Sequence, residues 1–288
     1  MRREEKFFMD NLKEVLRANN FRFKKKFGQN FISDKNLLAA IAEDAGIAAE
    51  DTVVEIGCGG GTLTAELAKR AKRVIGYEID GDLAPVLKNN LKDFSNVELR
   101  FKDVLKDGAA ALDGELRDYI IVANLPYYIT TPLIMNFAEN SRNIKRMVIM
   151  VQEEVADRLT ALPAAAEYGS ITVAVGARAE SAVTRKVPRQ MFYPVPNVDS
   201  AVVRIDFCGN RYDIEDYGLF RAVVRCGFSN RRKTLVNNLM AGFGLKREEA
   251  EGAVLCVAGD AMARGETLAP AQYAALCRVL RKQNNVIV

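Results

Sequence analysis

Between residues 51 and 151, short runs rich in β-branched side chains alternate with helical segments, and the first run ends in a glycine-rich turn. That alternation leaves few folds open. Strands separated by helix-length segments pair in parallel, since each crossover needs a dozen or more residues and lays a helix on a face of the sheet. The runs 52–56, 73–78, 97–101, 119–123 and 146–151 read as strands, and 61–69, 82–91, 132–139 and 153–162 as helices between or after them. Two further strands, 170–177 and 200–207, follow with no convincing helix between them, so an edge of the sheet is expected to be antiparallel. After Cys208 the pattern is helical, over 216–228, 231–241, 246–257 and 270–282, with Pro270 in a first turn. The expected organisation is an α/β catalytic domain over 22–207, a small all-helical domain over 208–288 and an N-terminal extension, 1–21. In that extension Phe8, Leu12, Val15 and Leu16 mark an amphipathic helix over 4–18.

Composition then narrows the chemistry. The chain has no histidine, which removes Ser-His-Asp and Cys-His nucleophiles, His-ligated metals and any imidazole acid or base. Its five cysteines (Cys58, Cys208, Cys226, Cys256, Cys277) form an odd set without a CxxC pair, so neither a metal site nor a disulfide framework is indicated and a reducing compartment fits. A net charge of +4 does not announce a polyanion partner, and the local clusters matter more. No apolar run reaches the ~18 residues of a spanning helix. The start, Met1-Arg2-Arg3-Glu4-Glu5-Lys6, lacks a secretory hydrophobic region, so the expected location is cytoplasmic.

The first strand ends in EIGCGGGTLT at 55–64. A glycine-rich turn there lets the backbone approach a ligand and aims helix N–H groups at it. Roughly 20 residues beyond the turn, the second strand closes on Glu78-Ile79-Asp80, where a carboxylate can bond both hydroxyls of a ribose. A dinucleotide fingerprint needs Gly or Ala where Thr62 stands. The spacing E-x-G-x-G-x-G instead suits the amino-acid end of S-adenosylmethionine. Asp103, in Lys102-Asp103-Val104 after the third strand, overlies the same crevice and can accept the adenine amino group of the cofactor. Cys58, inside the turn with no base near it in sequence, reads as a small packing residue.

The fourth strand runs into NLPYYITTP at 124–132. An exocyclic adenine amine is a weak nucleophile because its lone pair is delocalised into the ring. Two acceptors on its N–H groups favour the rehybridised form. The Asn124 side-chain oxygen and the Leu125 carbonyl, held outward by Pro126, can supply them while Tyr127 stacks on the base. The same residues also read as a strand terminator, with Thr131 as N-cap and Pro132 at the first helical position.

These motifs, in this order, resemble the ribosomal RNA adenine N6,N6-dimethyltransferase family that modifies small-subunit rRNA. The resemblance spans residues 22–285 and includes KFGQNF at 26–31, FYPVPNVDSAVV at 192–203 and FSNRRKT at 228–234. It implies a class I S-adenosylmethionine-dependent methyltransferase fold, Rossmann-like with a seven-stranded mostly parallel sheet, plus a helical C-terminal domain. It also implies two methyl transfers to each of two adjacent adenosines in the 3′-terminal hairpin loop of small-subunit (16S) rRNA, with a role in small-subunit biogenesis. Cofactor contacts are implied at Asn30, Ile32, Gly57, Gly59, Glu78, Asp103, Val104 and Asn124, catalytic roles at Asn124, Leu125, Pro126 and Tyr127, and a flank for the target base at Phe192. Cys58 departs from the proline that relatives often carry. Arg22, Lys24, Lys25 and Lys26, with Arg225, Arg231, Arg232 and Lys233, are the expected phosphate contacts. The expected partner is small-subunit rRNA or the 30S pre-ribosomal particle, with no metal and no membrane, the chain acting as a monomer. Two alternatives stand beside this. The large-subunit methyltransferase of macrolide resistance shares the fold but usually reads Asn-Ile-Pro, and a non-catalytic assembly factor could retain the fold without the chemistry.

Overall fold

The computed structural model describes Lys24, residues 29–32 and residues 34–282. The helix read over 4–18 and the cations Arg22, Lys25 and Lys26 lie outside the described residues. The strands are β1 Phe31–Ile32, β2 Thr52–Ile56, β3 Arg73–Tyr77, β4 Val97–Arg100, β5 Tyr119–Asn124, β6 Ile144–Gln152, β7 Ala179–Val187, β8 Phe192–Tyr193 and β9 Ser200–Phe207. Seven of them form one sheet in the order β4-β3-β2-β5-β6-β9-β7, while β1 and β8 make a separate two-stranded ribbon. Neighbours from β4 to β6 pair in parallel. The pairing of β6 with β9 is antiparallel, so the antiparallel part of the sheet expected from the sequence includes β9, one strand in from the edge.

The central strands show why the sequence was legible here. Val53, Val54 and Ile56 of β2 and residues 119–123 of β5 are buried. A parallel strand covered by helices on both faces reads as an unbroken apolar run, and each such side chain contributes roughly 1.5–3 kcal/mol on burial. The chain winds outward from β2 through β3 to β4, then returns to β2's other side with β5. Between β2 and β5 the winding reverses, and in open α/β sheets ligands bind at the carboxyl ends of the strands at such a reversal.

Contacts divide the chain into two compact units, one comprising residues up to Ala156 with Ala182–Phe207, the other Asp157–Ser181 with Cys208–Val288. In the second unit, Tyr168 and Val173 join a core with Leu219, Phe220, Leu235, Leu239, Leu276 and Leu280, and the Tyr168 hydroxyl donates to the Leu268 carbonyl at 2.8 Å. The sequence alone divides the chain only at 207/208. Residues 157–181 group with the helical unit because their apolar side chains fill its core.

Several elements differ from the sequence expectation. Residues 170–177 are not a strand: Ser170–Gly176 is a helix. Its β-branched residues favour a strand locally, but Thr172, Val173 and Val175 are buried, and the Thr172 hydroxyl donates to the Arg158 carbonyl at 2.6 Å. Tertiary packing overrides propensity here. The edge strand is instead β7, whose mostly exposed residues carry no apolar alternation. Helices Lys35–Asp44 and Val104–Glu115 were not foreseen; the second is interrupted at Gly108, which masks its period. The helix expected over 231–241 is Leu235–Phe243, because Thr234 caps it by accepting from the Asn237 amide at 3.3 Å. Thr131 is not an N-cap either: the helix Thr130–Asn140 begins earlier, and the Thr130 hydroxyl donates back to the Pro126 carbonyl at 3.3 Å. Among the described residues no helix is long and apolar enough to cross a membrane.

Candidate active site

The parallel register places Ile56 opposite Ala123, so the glycine turn after β2 and Asn124 at the end of β5 leave the sheet side by side. Gly59 has φ +55°, and a Cβ there would come within 2.8 Å of Phe31 Cε1. Only glycine meets both demands. Its amide donates to Glu78 Oε2 at 2.8 Å, and the Asp80 amide donates to Glu78 Oε1 at 2.8 Å. Two backbone donors thus fix the orientation of a carboxylate that is 6% exposed. Burial holds the Glu78 carboxyl above its ordinary range, and the amides from Asp80 and Gly59 draw it partly back. Asp103 caps the helix Val104–Glu115, accepting from the Leu105 amide at 3.0 Å. Cys58 packs with Sγ 3.5 Å from the Tyr77 carbonyl; burial, with Glu55 and Glu78 nearby, holds it well above its ordinary range as the thiol.

On the opposite side, Asn124 Nδ2 donates to the Asn30 carbonyl at 2.9 Å, which leaves its Oδ1 as the acceptor. The Leu125 amide reaches the Met150 carbonyl at 3.4 Å, and the Tyr127 hydroxyl lies 3.2 Å from Ser200 Oγ. Phe192 is buried and pairs with Ile32 in the β1–β8 ribbon.

One cavity of about 450 Å³ is lined by Asn30, Ile32, Gly57, Gly59, Glu78, Asp103, Val104, Asn124, Leu125, Pro126, Tyr127 and Phe192. Residues that the sequence proposed separately for cofactor and for target thus share one space. Among the described residues, the basic side chains expected to contact phosphate do not line it. Lys24 Nζ is paired with Asp80 at 2.6 Å and Asp82 at 2.5 Å. Arg225, Arg231, Arg232 and Lys233 are exposed in the helical unit, with Arg231 Nη1 donating to the Ala166 carbonyl at 3.1 Å. Residues 231–233 precede the helix Leu235–Phe243 rather than opening it.

The cavity is also lined by Lys102 and Tyr128, to which sequence reasoning assigned no role, and by Gln29, Phe31 and Glu55, which it read only as members of the KFGQNF and EIGCGGGTLT motifs. Glu55 carried a signal, being a lone acid in an apolar strand. It is 1% exposed, its Oε2 has no hydrogen-bond partner, and burial pushes its carboxyl up to about 8. The cavity therefore offers a fixed carboxylate beside a glycine cradle and an orphaned carboxyl oxygen deeper in. These residues fit a nucleoside that bears a cationic amino-acid tail.

Residues 20–270 match the model of a family described as Ribosomal RNA adenine dimethylase. A protein of Geobacillus thermodenitrificans named Ribosomal RNA small subunit methyltransferase A is 45% identical over 276 residues, covering 93% of this chain and 94% of that one. A dimethyladenosine transferase from Plasmodium falciparum matches the structure with a TM-score of 0.78 at 24% identity, over 88% of this chain and 98% of its own. The 23S rRNA methyltransferase ErmE matches with a TM-score of 0.69 at 28% identity, over 87% of this chain and 99% of its own. The fold shared with both is the class I methyltransferase sheet described above.

Proposed function

The chain belongs to the ribosomal RNA adenine dimethylase family, and on that premise we propose that it dimethylates N6 of two adjacent adenosines near the 3′ end of small-subunit rRNA, with S-adenosylmethionine as donor. The observation that carries this is the convergence of Glu78, the glycine turn and Asn124 on one cavity at the reversal of the sheet. The name of the Geobacillus relative supports the small subunit as the target.

Glu78 would hold the ribose, Asp103 the adenine amine of the cofactor, and the turn 57–61 the amino-acid end. When bound, that cofactor supplies a methyl group on an already cationic sulfur, so its departure needs no acid. Asn124 Oδ1 and the Leu125 carbonyl accept the two N–H groups of the target amine, drawing its lone pair out of the ring. Tyr127 stacks on the extruded base, a contact that contributes ~1–3 kcal/mol, and Phe192 flanks it. No side chain is required as base, because the methylated amine releases its proton to water. Arg225, Arg231, Arg232 and Lys233 serve as phosphate contacts whose contribution falls steeply with salt. The enzyme acts as a monomer in small-subunit biogenesis, and that substrate puts it in the cytoplasm.

The test is incubation with radiolabelled S-adenosylmethionine and, side by side, small subunits lacking the modification and unmethylated large subunits, followed by mapping of the label. Dimethylated neighbouring adenosines near the 3′ end are expected. Label confined to the large subunit would replace this function with that of the macrolide-resistance enzymes.

A further inference from the structure

Asp80 stands behind the cavity wall rather than on it, is 2% exposed, and joins two parts of the site that are far apart in sequence. Its Oδ1 accepts from Lys24 Nζ at 2.6 Å and its Oδ2 from Gln29 Nε2 at 2.9 Å. The Lys24 amide in turn donates to Gln29 Oε1 at 3.0 Å, so lysine, glutamine and aspartate close a ring of hydrogen bonds. Burial alone would raise the Asp80 carboxyl, but the bonds from Lys24 and Gln29 hold it below the ordinary aspartate range, where it stays ionised. Next to Gln29 is Asn30, whose carbonyl accepts from Asn124 Nδ2.

We propose that Asp80 is a positioning residue for methyl transfer: by gripping Lys24 and Gln29 it seats the segment 29–32, and the Asn30 carbonyl of that segment sets which end of the Asn124 carboxamide meets the target amine. The two ends of a carboxamide are nearly the same size, so sterics do not choose between them. The choice falls to hydrogen-bonding neighbours. A backbone carbonyl only accepts, so it takes Nδ2 and leaves Oδ1 for the substrate. With the segment unseated, the carboxamide can turn over at little cost and present N–H groups to an amine that also donates. Asp80 is separate from the cofactor carboxylate in this respect, because its bond to Glu78 uses the backbone amide and survives replacement of the side chain.

This rests on the assignment of Asn124 as acceptor for the target amine, and the experiment separates the two ideas. In the full chain, Asp80→Asn, Lys24→Met, Lys24→Arg and the double variant Asp80→Asn/Lys24→Met are assayed on unmethylated small subunits, with S-adenosylmethionine affinity measured by calorimetry. Asp80→Asn and Lys24→Met are expected to lower kcat by roughly tenfold or more while the cofactor Kd stays within about threefold. The double variant should be no worse than either single, and Lys24→Arg should stay within about twofold of wild type. A wild-type kcat in Asp80→Asn, losses that multiply in the double variant, or a cofactor Kd that rises as far as kcat falls would each overturn the positioning role. Should Asp80→Asn fail to fold, Lys24→Met removes the same ion pair, together with the exposed one to Asp82, from a partly exposed position and carries the test with Lys24→Arg. A wild-type chain that transfers no methyl group would sink the function itself, whereas wild-type behaviour in the variants sinks only the role of Asp80.

Discussion

Where the cavity meets the ends of β3 and β4, Glu78 is held by two backbone amides and Asp103 by a third, so the polar groups are oriented by the main chain. Where it meets the end of β5, Asn124 is held by one bond to a segment distant in sequence, Tyr127 by one hydroxyl contact, and Tyr128 is 57% exposed. The first wall is fixed by local backbone geometry, the second by a few long-range contacts beside an open rim. That difference matches what each wall is proposed to bind. A small cofactor of constant shape is met by a preset surface, and a base pulled from a folded RNA by one with fewer constraints.

The largest effect should break the second wall. Asn124→Ala is expected to lower kcat by about 10²- to 10³-fold, as loss of a positioned hydrogen-bond partner does elsewhere, while cofactor affinity by calorimetry stays within a few fold. Full turnover would remove Asn124 from the chemistry. The first wall should answer in the opposite currency: Glu78→Ala deletes charged hydrogen bonds of ~1.5–3 kcal/mol and is expected to weaken S-adenosylmethionine binding by roughly 10- to 100-fold, with single-turnover transfer at saturating cofactor largely kept. Tyr127 sharpens the contrast, since Tyr127→Ala should lower kcat/KM about tenfold or more through lost stacking, but Tyr127→Phe should stay near wild type in the same assay. Equal losses in both would mean that the hydroxyl contact to Ser200, not the ring, matters.

The smallest effect concerns Glu55, below the first wall. Its carboxyl is raised from the ordinary 4.5 to about 8 in the folded chain. A raised acid contributes its stability fully below the unfolded value, and that contribution is lost as pH climbs to the folded one. The thermal midpoint of the cofactor-free protein should therefore fall by a few degrees relative to Glu55→Gln between about pH 4.5 and 8, then level off. Parallel melting curves across that range would show that Glu55 is not held neutral by burial.

The two walls also differ in how far they could be read from the sequence. The glycine turn, Glu78 and Asp103 lie at strand ends that periodicity marks, and their partners are within a few residues or on the adjacent strand. Asn124, Leu125 and Tyr127 were legible as candidates because the chemistry of an amine demands acceptors and a stacking ring next to a strand end, and the fold brings all three to the cavity. What supports them was not. The Asn30 carbonyl on Asn124 and the Lys24–Asp80–Gln29 ring join residues that only the completed fold brings together. The helix Ser170–Gly176 was hidden for a related reason: its Thr172, Val173 and Val175 look like a strand until the core that receives them is known. Strand β7 was missed because an exposed edge needs no apolar alternation.

The β1–β8 ribbon joins Phe31 to Tyr193 and Ile32 to Phe192. It therefore dictates the order in which the site can come into being. During synthesis the glycine turn, Glu78 and Asn124 all leave the ribosome before Phe192, and at ~5–20 residues per second the gap is several seconds. Through that interval β1 has no β8 to pair with, and a pairing between such distant segments must also overcome the entropy of closing a long loop. A growing chain thus acquires β2 to β6 early, and its complete cavity, like β9, late. Methyl transfer becomes available only when the unit is nearly whole.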